Sequence, residues 1–216
     1  MWAISWHRPP PREDRHPPPA PMMALWRERL AACLGFDAHK KVSVDPINVV
    51  IIDRAYGGGR TFLNVDQMVK LVQDKYPTVQ VQLRYLENST VEEAAGTFDD
   101  ATVVVWQHGA AMTNLVFLPD GATGIQIIMR DHPSELTGWP DELVRDLPHR
   151  VQLVHILERD PDRVVVRTGS IRWSVQWGPG GLSAKVLGTL RLIYKAQSGL
   201  LVACGFCCVV AHVPTH

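Results

Sequence analysis

Apolar positions between Ile47 and Met129 switch repeatedly between two rhythms. Ile47 to Ile52 is a nearly continuous, β-branched run broken only by Asn48, the pattern of a strand covered on both faces, as in a parallel sheet. A glycine-rich loop, Gly57-Gly58-Gly59, follows. Asn64 and Gln67 then have the spacing of a helix-capping pair, and Val65, Met68, Val69, Val72 and Tyr76 recur at helical period until Pro77 stops the element. The alternation repeats, with Val79, Val81 and Leu83 as a strand, Val91 to Ala95 as a short helix, and Thr102 to Trp106 as a buried strand. A second short helix around Met112 to Leu118 leads through Gly121 to a strand over Thr123 to Met129. Strands alternating with helices through short loops predict a parallel sheet with right-handed crossovers, an α/β, Rossmann-like fold.

Outside this stretch the pattern loosens. Glu142 to Leu147 reads as a helix, and Val151 to Leu157 and Arg163 to Arg167 as strands. Upstream, Leu25, Arg29 and Ala32 fall on one stripe and Trp26, Leu30 and Cys33 on the next, predicting a short amphipathic helix that ends at Gly35. Met1 to Pro21 holds seven prolines, which remove donors and fix φ, so it reads as an extended, solvated tail. Past Lys195 every Asp, Glu, Lys and Arg is gone; a docking strand, a membrane-leaning tail and a stretch of doubtful coding origin all fit such an ending. The expected division is a disordered tail over 1–21, a helix and linker over 22–46, a Rossmann-like domain over 47–167 and a tail of uncertain structure over 168–216.

Composition narrows the function. Among 216 residues, 22 basic and 22 acidic side chains give a formal net charge of zero, so no long-range field gathers nucleic acid, and none is expected as a partner. Three of the four cysteines crowd at Cys204, Cys207 and Cys208, which is not a disulfide framework. The longest apolar stretch, Gly199 to Val213, is shorter than the roughly 18 to 20 residues of a bilayer span, and Met1 to Pro21 lacks the apolar region of a secretory signal. The glycines match neither the dinucleotide fingerprint nor a P-loop, and no G-x-S-x-G elbow occurs. Asp99-Asp100 reads as a turn, so no metal is expected. Cys204-Gly205-Phe206-Cys207 has redox spacing without the strand-to-helix setting that activates a thiol. Asn88-Ser89-Thr90 fits a glycosylation acceptor in a loop.

Ligands of open parallel sheets bind outside the carboxyl ends of the strands. Two loops fall there: Asp53 to Asn64, with Arg54 and Arg60, and Gln107 to Asn114. Small residues at Gly109, Ala110 and Ala111 admit a ligand close to the main chain, and a helix start offers unpaired N–H groups, a setting that suits a diphosphate. His108 and an arginine add donors and charge. Two readings stay open at this point: a diphosphate site, or a glycine-alanine turn that serves only tight packing, with His108 bonded to backbone.

The string from His108 to Ala122, HGAAMTNLVFLPDGA, resembles the most characteristic block of glycosyltransferase family 61, and Arg54, Arg60 and Asn64 resemble that family's arginine-containing block. The resemblance runs from about Ile47 to Met129. It implies the donor-binding, C-terminal lobe of a GT-B type enzyme, truncated or divergent. Such an enzyme transfers xylose, arabinose or N-acetylglucosamine from a UDP-sugar to a glycan or glycoprotein acceptor with inversion, and takes no cofactor beyond that donor. Carried over, Arg54, Arg60, His108, Gly109, Ala110 and Asn114 would line the donor site. Gln126 stands where the family usually has a glutamate facing the nucleoside, and an amide offers one acceptor oxygen in place of a carboxylate's two. Members work in the Golgi or endoplasmic reticulum, held by a membrane segment that this sequence does not show. Fewer than fifty residues precede Ile47, so a non-catalytic, nucleotide-binding lobe is the alternative. A third idea is an interaction module built on the proline-rich tail.

Overall fold

The computed structural model describes residues 20–55, 61–129, 139–158, 164–167 and 172–175. Helix α1 (Ala20–Leu34) precedes strand β1 (Asn48–Asp53), the two-residue strand β2 (Thr61–Phe62), helix α2 (Val65–Lys75) and strand β3 (Gln80–Tyr85). Helix α3 (Val91–Asp99), strand β4 (Val103–Gln107), a 3₁₀ helix (Ala110–Phe117), strand β5 (Thr123–Met129), helix α4 (Trp139–Asp146) and strands β6 (Gln152–Glu158), β7 (Val164–Arg167) and β8 (Arg172–Val175) complete the order.

Five strands form one parallel sheet in the order β3-β1-β4-β5-β6. Numbered by chain order within this sheet that is 2-1-3-4-5, a doubly wound arrangement whose direction reverses between β1 and β4. The β-branched runs take the central positions because both faces are covered: every residue of β1 and β4 is buried. The edge strand β3 carries Gln80, Gln82 and Arg84. Asn48, the polar interruption in β1, gives its side-chain amide to the Asp100 carbonyl at 2.9 Å and takes the Gln82 amide at 3.2 Å, while its backbone N–H reaches Thr102 Oγ1 at 2.9 Å. The break thus pins the turn between α3 and β4.

One face packs Val49, Ile51, Val103, Val105, Ile125 and Ile127 against Val65, Met68 and Val72 of α2. The other packs Val50, Ile52, Val104 and Trp106 against Met23 of α1, Phe98 of α3 and Leu115 to Leu118 of and beside the 3₁₀ helix. Gly124 is required here: a Cβ on it would lie 2.8 Å from the Trp106 ring, so the indole seats only over a bare backbone.

Several elements differ from the sequence expectation. The buried stripe of α1 is Met23, Arg27 and Ala31, whereas Leu25 and Trp26 are exposed. Arg27 is 1 % exposed, and donates to the Val116 and Ala38 carbonyls while lying over the Phe36 ring at 5.3 Å. A buried guanidinium, bonded to two carbonyls through Nε and Nη1 while Nη2 has no partner among the described residues, thus fills a place where periodicity expects an apolar residue. Asn64 and Gln67 bond to each other's side chains at 2.7 Å and form no side-chain cap, while the capping box stands at Thr90 and Glu93. The second short helix is a 3₁₀ helix. Strands β2 and β8 were not expected, and with β7 they form a separate three-stranded sheet. Strand β8 falls within the segment read as a tail of uncertain structure. Ala20 and Pro21, expected in the tail, open α1, while residues 1–19, the three glycines, Arg60 and the cysteine-containing end lie outside the described residues.

Candidate functional site

The topological reversal puts the carboxyl ends of β1 and β4 on either side of one crevice, the position where ligands enter sheets of this kind. Asp53 and Arg54 end one strand, and Gln107, His108 and Gly109 the other. The described starts of both loops singled out from the sequence, 53–55 and 107–114, therefore lie at the switch point. Arg54 is half-buried there.

After β4 the chain turns directly into the 3₁₀ helix. The first closing bond runs from the Met112 N–H to the Gly109 carbonyl at 3.2 Å, so the three preceding amides lie ahead of the helical ladder. Among the described residues no acceptor takes the N–H of Gly109, Ala110 or Ala111. Ala110 is exposed, and no side chain larger than a methyl stands on this turn before Met112. Two side chains brace it from within: Thr113 Oγ1 donates to the Ala110 carbonyl at 2.9 Å, and Asn114 Nδ2 to the Ala111 carbonyl at 3.1 Å. Asn114 therefore shapes the turn.

His108 is 5 % exposed, its backbone N–H bonded to the Ile127 carbonyl at 2.9 Å. Its ring Nδ1 meets the amide nitrogen of Gln126, a residue of zero exposure on β5. Gln126, expected from the resemblance to face the nucleoside, has its amide nitrogen against the His108 ring, and its Oε1 has no partner among the described residues.

Two residues that the sequence reading passed over lie at the same edge. Asp53 is 5 % exposed and accepts the Phe62 N–H at 2.9 Å. Burial pushes its carboxyl up to about 6, against the pull of the Phe62 and Arg54 backbone donors, with Glu87 adding a smaller upward push. Gln107 is 7 % exposed, and among the described residues neither its amide nitrogen nor its oxygen has a partner. Polar residues closing otherwise aliphatic strands were the available signal for both. The pair Asp99-Asp100 is held by Lys40 at 3.0 and 2.7 Å. Among the described residues no group of three or more His, Cys, Asp or Glu could hold a metal ion, and no helix is long and apolar enough to cross a membrane.

Among the described residues, the edge brings together three amides without acceptors on a turn of small residues, the half-buried Arg54 at the end of β1, the buried His108 ring held by Gln126, and two carboxyls, Asp53, which burial disposes toward neutrality, and Glu87, which accepts the Ala55 N–H at 3.0 Å.

A family model described as Glycosyltransferase 61 matches residues 9–125, just over half of the chain. No curated protein matches. Solved structures with some likeness include rubredoxin oxygen:oxidoreductase from Desulfovibrio gigas, at 13 % identity and TM-score 0.44 over 76 % of this chain and 38 % of that one. The flavodiiron core of Flv1 from Synechocystis shows 12 % identity and TM-score 0.41 over 72 % of this chain and 37 % of that one. A short-chain dehydrogenase/reductase from Veillonella parvula shows 11 % identity and TM-score 0.40 over 71 % and 90 %. The chain spans well under half the length of the first of these, and none of the three bears on function.

Proposed function

The chain belongs to the glycosyltransferase 61 family, and from that premise we propose that it binds a UDP-sugar at the β1–β4 crevice and transfers xylose, arabinose or N-acetylglucosamine to a glycan or glycoprotein acceptor with inversion. The observation that carries this reading is the set of three consecutive amides, Gly109, Ala110 and Ala111, without acceptors at the topological switch point. As the sugar departs, negative charge grows on the nucleotide diphosphate. Preformed amide donors hold that charge without reorganising, and Arg54 and Arg60 supply fixed positive charge. His108 adds a ring donor. In this reading the departing charge is met by protein groups, with no metal invoked. The setting is the Golgi or endoplasmic reticulum lumen.

The test is a calorimetric titration with UDP, followed by an assay of transfer or slow hydrolysis of UDP-sugars. Replacing His108 with alanine is expected to weaken UDP binding by about 1 to 3 kcal/mol, roughly 5- to 150-fold, because it removes a donor to a charged oxygen in a shielded cleft. Binding without turnover assigns the chain to a non-catalytic, nucleotide-binding lobe. A protein that holds UDP no better than uridine, and that is indifferent to loss of His108, contradicts the site.

A further inference from the structure

Gln126 and His108 form a buried pair whose polarity is readable. The amide nitrogen of Gln126 lies on His108 Nδ1, and a primary amide nitrogen can only donate. The imidazole nitrogen it meets is then the bare acceptor, which leaves the ring hydrogen on Nε2. The opposite orientation of the amide would move its NH₂ to the place now held by Oε1. Gln126 is the register partner of Trp106 on β4, whose Nε1, a donor only, is buried without a partner among the described residues. Turning the amide would pair the now unpartnered Oε1 but leave both N–H groups unpaired in place of one, on a sheet face that already holds an orphaned indole N–H, and an unpaired N–H is harder to tolerate than an under-used carbonyl oxygen.

We propose that Gln126 is a positioning residue that fixes His108 as the neutral, Nε2-protonated tautomer, making the ring a standing hydrogen-bond donor and removing it from proton transfer. Protonating Nδ1 would set one N–H against another, so Gln126 opposes the imidazolium form. The role of the ring in holding a diphosphate rests on the function proposed above; the tautomer itself does not. Among the described residues, the other ionisable groups nearest in register are His155, paired with Gln126 across β5 and β6, and Asp53 with Arg54 at the end of β1.

Nitrogen-15 NMR of the labelled protein, correlating each imidazole nitrogen with the carbon-bound ring hydrogens and recorded without nucleotide, reads the tautomer directly. In neutral buffer His108 is expected to show a bare Nδ1 and a protonated Nε2. In Gln126→Glu the new carboxylate accepts an Nδ1 hydrogen, and both ring nitrogens are expected to be protonated at the same pH. In Gln126→Met, which keeps the bulk without either polar end, the two tautomers are expected to mix. A native His108 carrying its hydrogen on Nδ1 overturns the proposal, as does a Glu variant with the native ring spectrum. Should both variants fail to fold, the native spectrum alone decides. UDP added afterwards tests the diphosphate reading separately: a correct tautomer in a protein that ignores UDP leaves the pair intact and removes only the function assigned to it.

Discussion

Two rows of side chains, one residue apart along the strands, point to opposite faces of the sheet and are made of different chemistry. Ile51, Val105, Ile125 and Val154 form an aliphatic row on the α2 side. Their successors Ile52, Trp106, Gln126 and His155 run from aliphatic through aromatic to polar on the other face. The first row does nothing but exclude water. The second carries buried polar groups, which are costly unless satisfied, and it is the row that braces His108. In one sheet, stability is concentrated on the α2 face and the support of the crevice on the other.

The largest effect that should separate the rows comes from Ile125→Ala. Ile125 has zero exposure, and truncating such a residue costs about 2 to 5 kcal/mol. Chemical denaturation is expected to show that loss, with UDP affinity of the folded protein unchanged; a variant that keeps its stability would mean the row is not close-packed.

Next is the α2 face's own exception, Asp53, at the carboxyl edge. Its carboxyl is raised from 3.8 to about 6 in the fold, so the folded state holds the proton more tightly. The stability this contributes is complete below pH 4 and is lost as pH rises through 6, a change of at most about 3 kcal/mol. Asp53→Asn can still accept the Phe62 N–H. It should therefore be more stable than the native protein above pH 6 and equal to it below pH 4. His149 slopes the other way: burial, with Arg27 adding to it, lowers its value from 6.5 to about 4, so its contribution is present above pH 6.5 and is lost as pH falls through 4. The two cancel in part between pH 4 and 6. Urea midpoints across this range should rise with pH in Asp53→Asn and stay flatter in the native protein; parallel profiles would reject the assignment.

Gly124→Ala is the smallest of the three. Its Cβ would press the Trp106 ring, and an overpacked site of this kind loses about 1 to 3 kcal/mol. Because Trp106 neighbours Gln126 in the second row, this variant should also disturb the His108 ring signals, which Ile125→Ala should leave alone. Thermal unfolding and the imidazole spectrum together check it.

Much of this was legible in the sequence, for reasons that differ by element. The β-branched runs over β1, β4 and β5 read correctly because strands buried on both faces leave a continuous apolar signature, and α2 read correctly because one face alone is covered. The glycine-alanine turn was visible as a gap in side-chain volume. Arg27 hid the true stripe of α1, since periodicity counts a guanidinium as surface and cannot see the carbonyls that bury it. A two-residue strand such as β2 has no period to find. The 3₁₀ helix could not be told from an α-helix within eight residues. The contact of Gln126 with His108 was not visible because the two lie 18 residues apart and the pairing exists only once β4 and β5 align. The orphaned amide of Gln107 likewise needs coordinates before it can be noticed.

The most direct test of the crevice is the backbone amide spectrum of the labelled protein during titration with UDP and, separately, with uridine. UDP is expected to shift the Gly109, Ala110 and Ala111 amide signals together, saturating at the affinity found by calorimetry, while uridine leaves them nearly still. UDP that binds while all three signals stay in place would contradict the account.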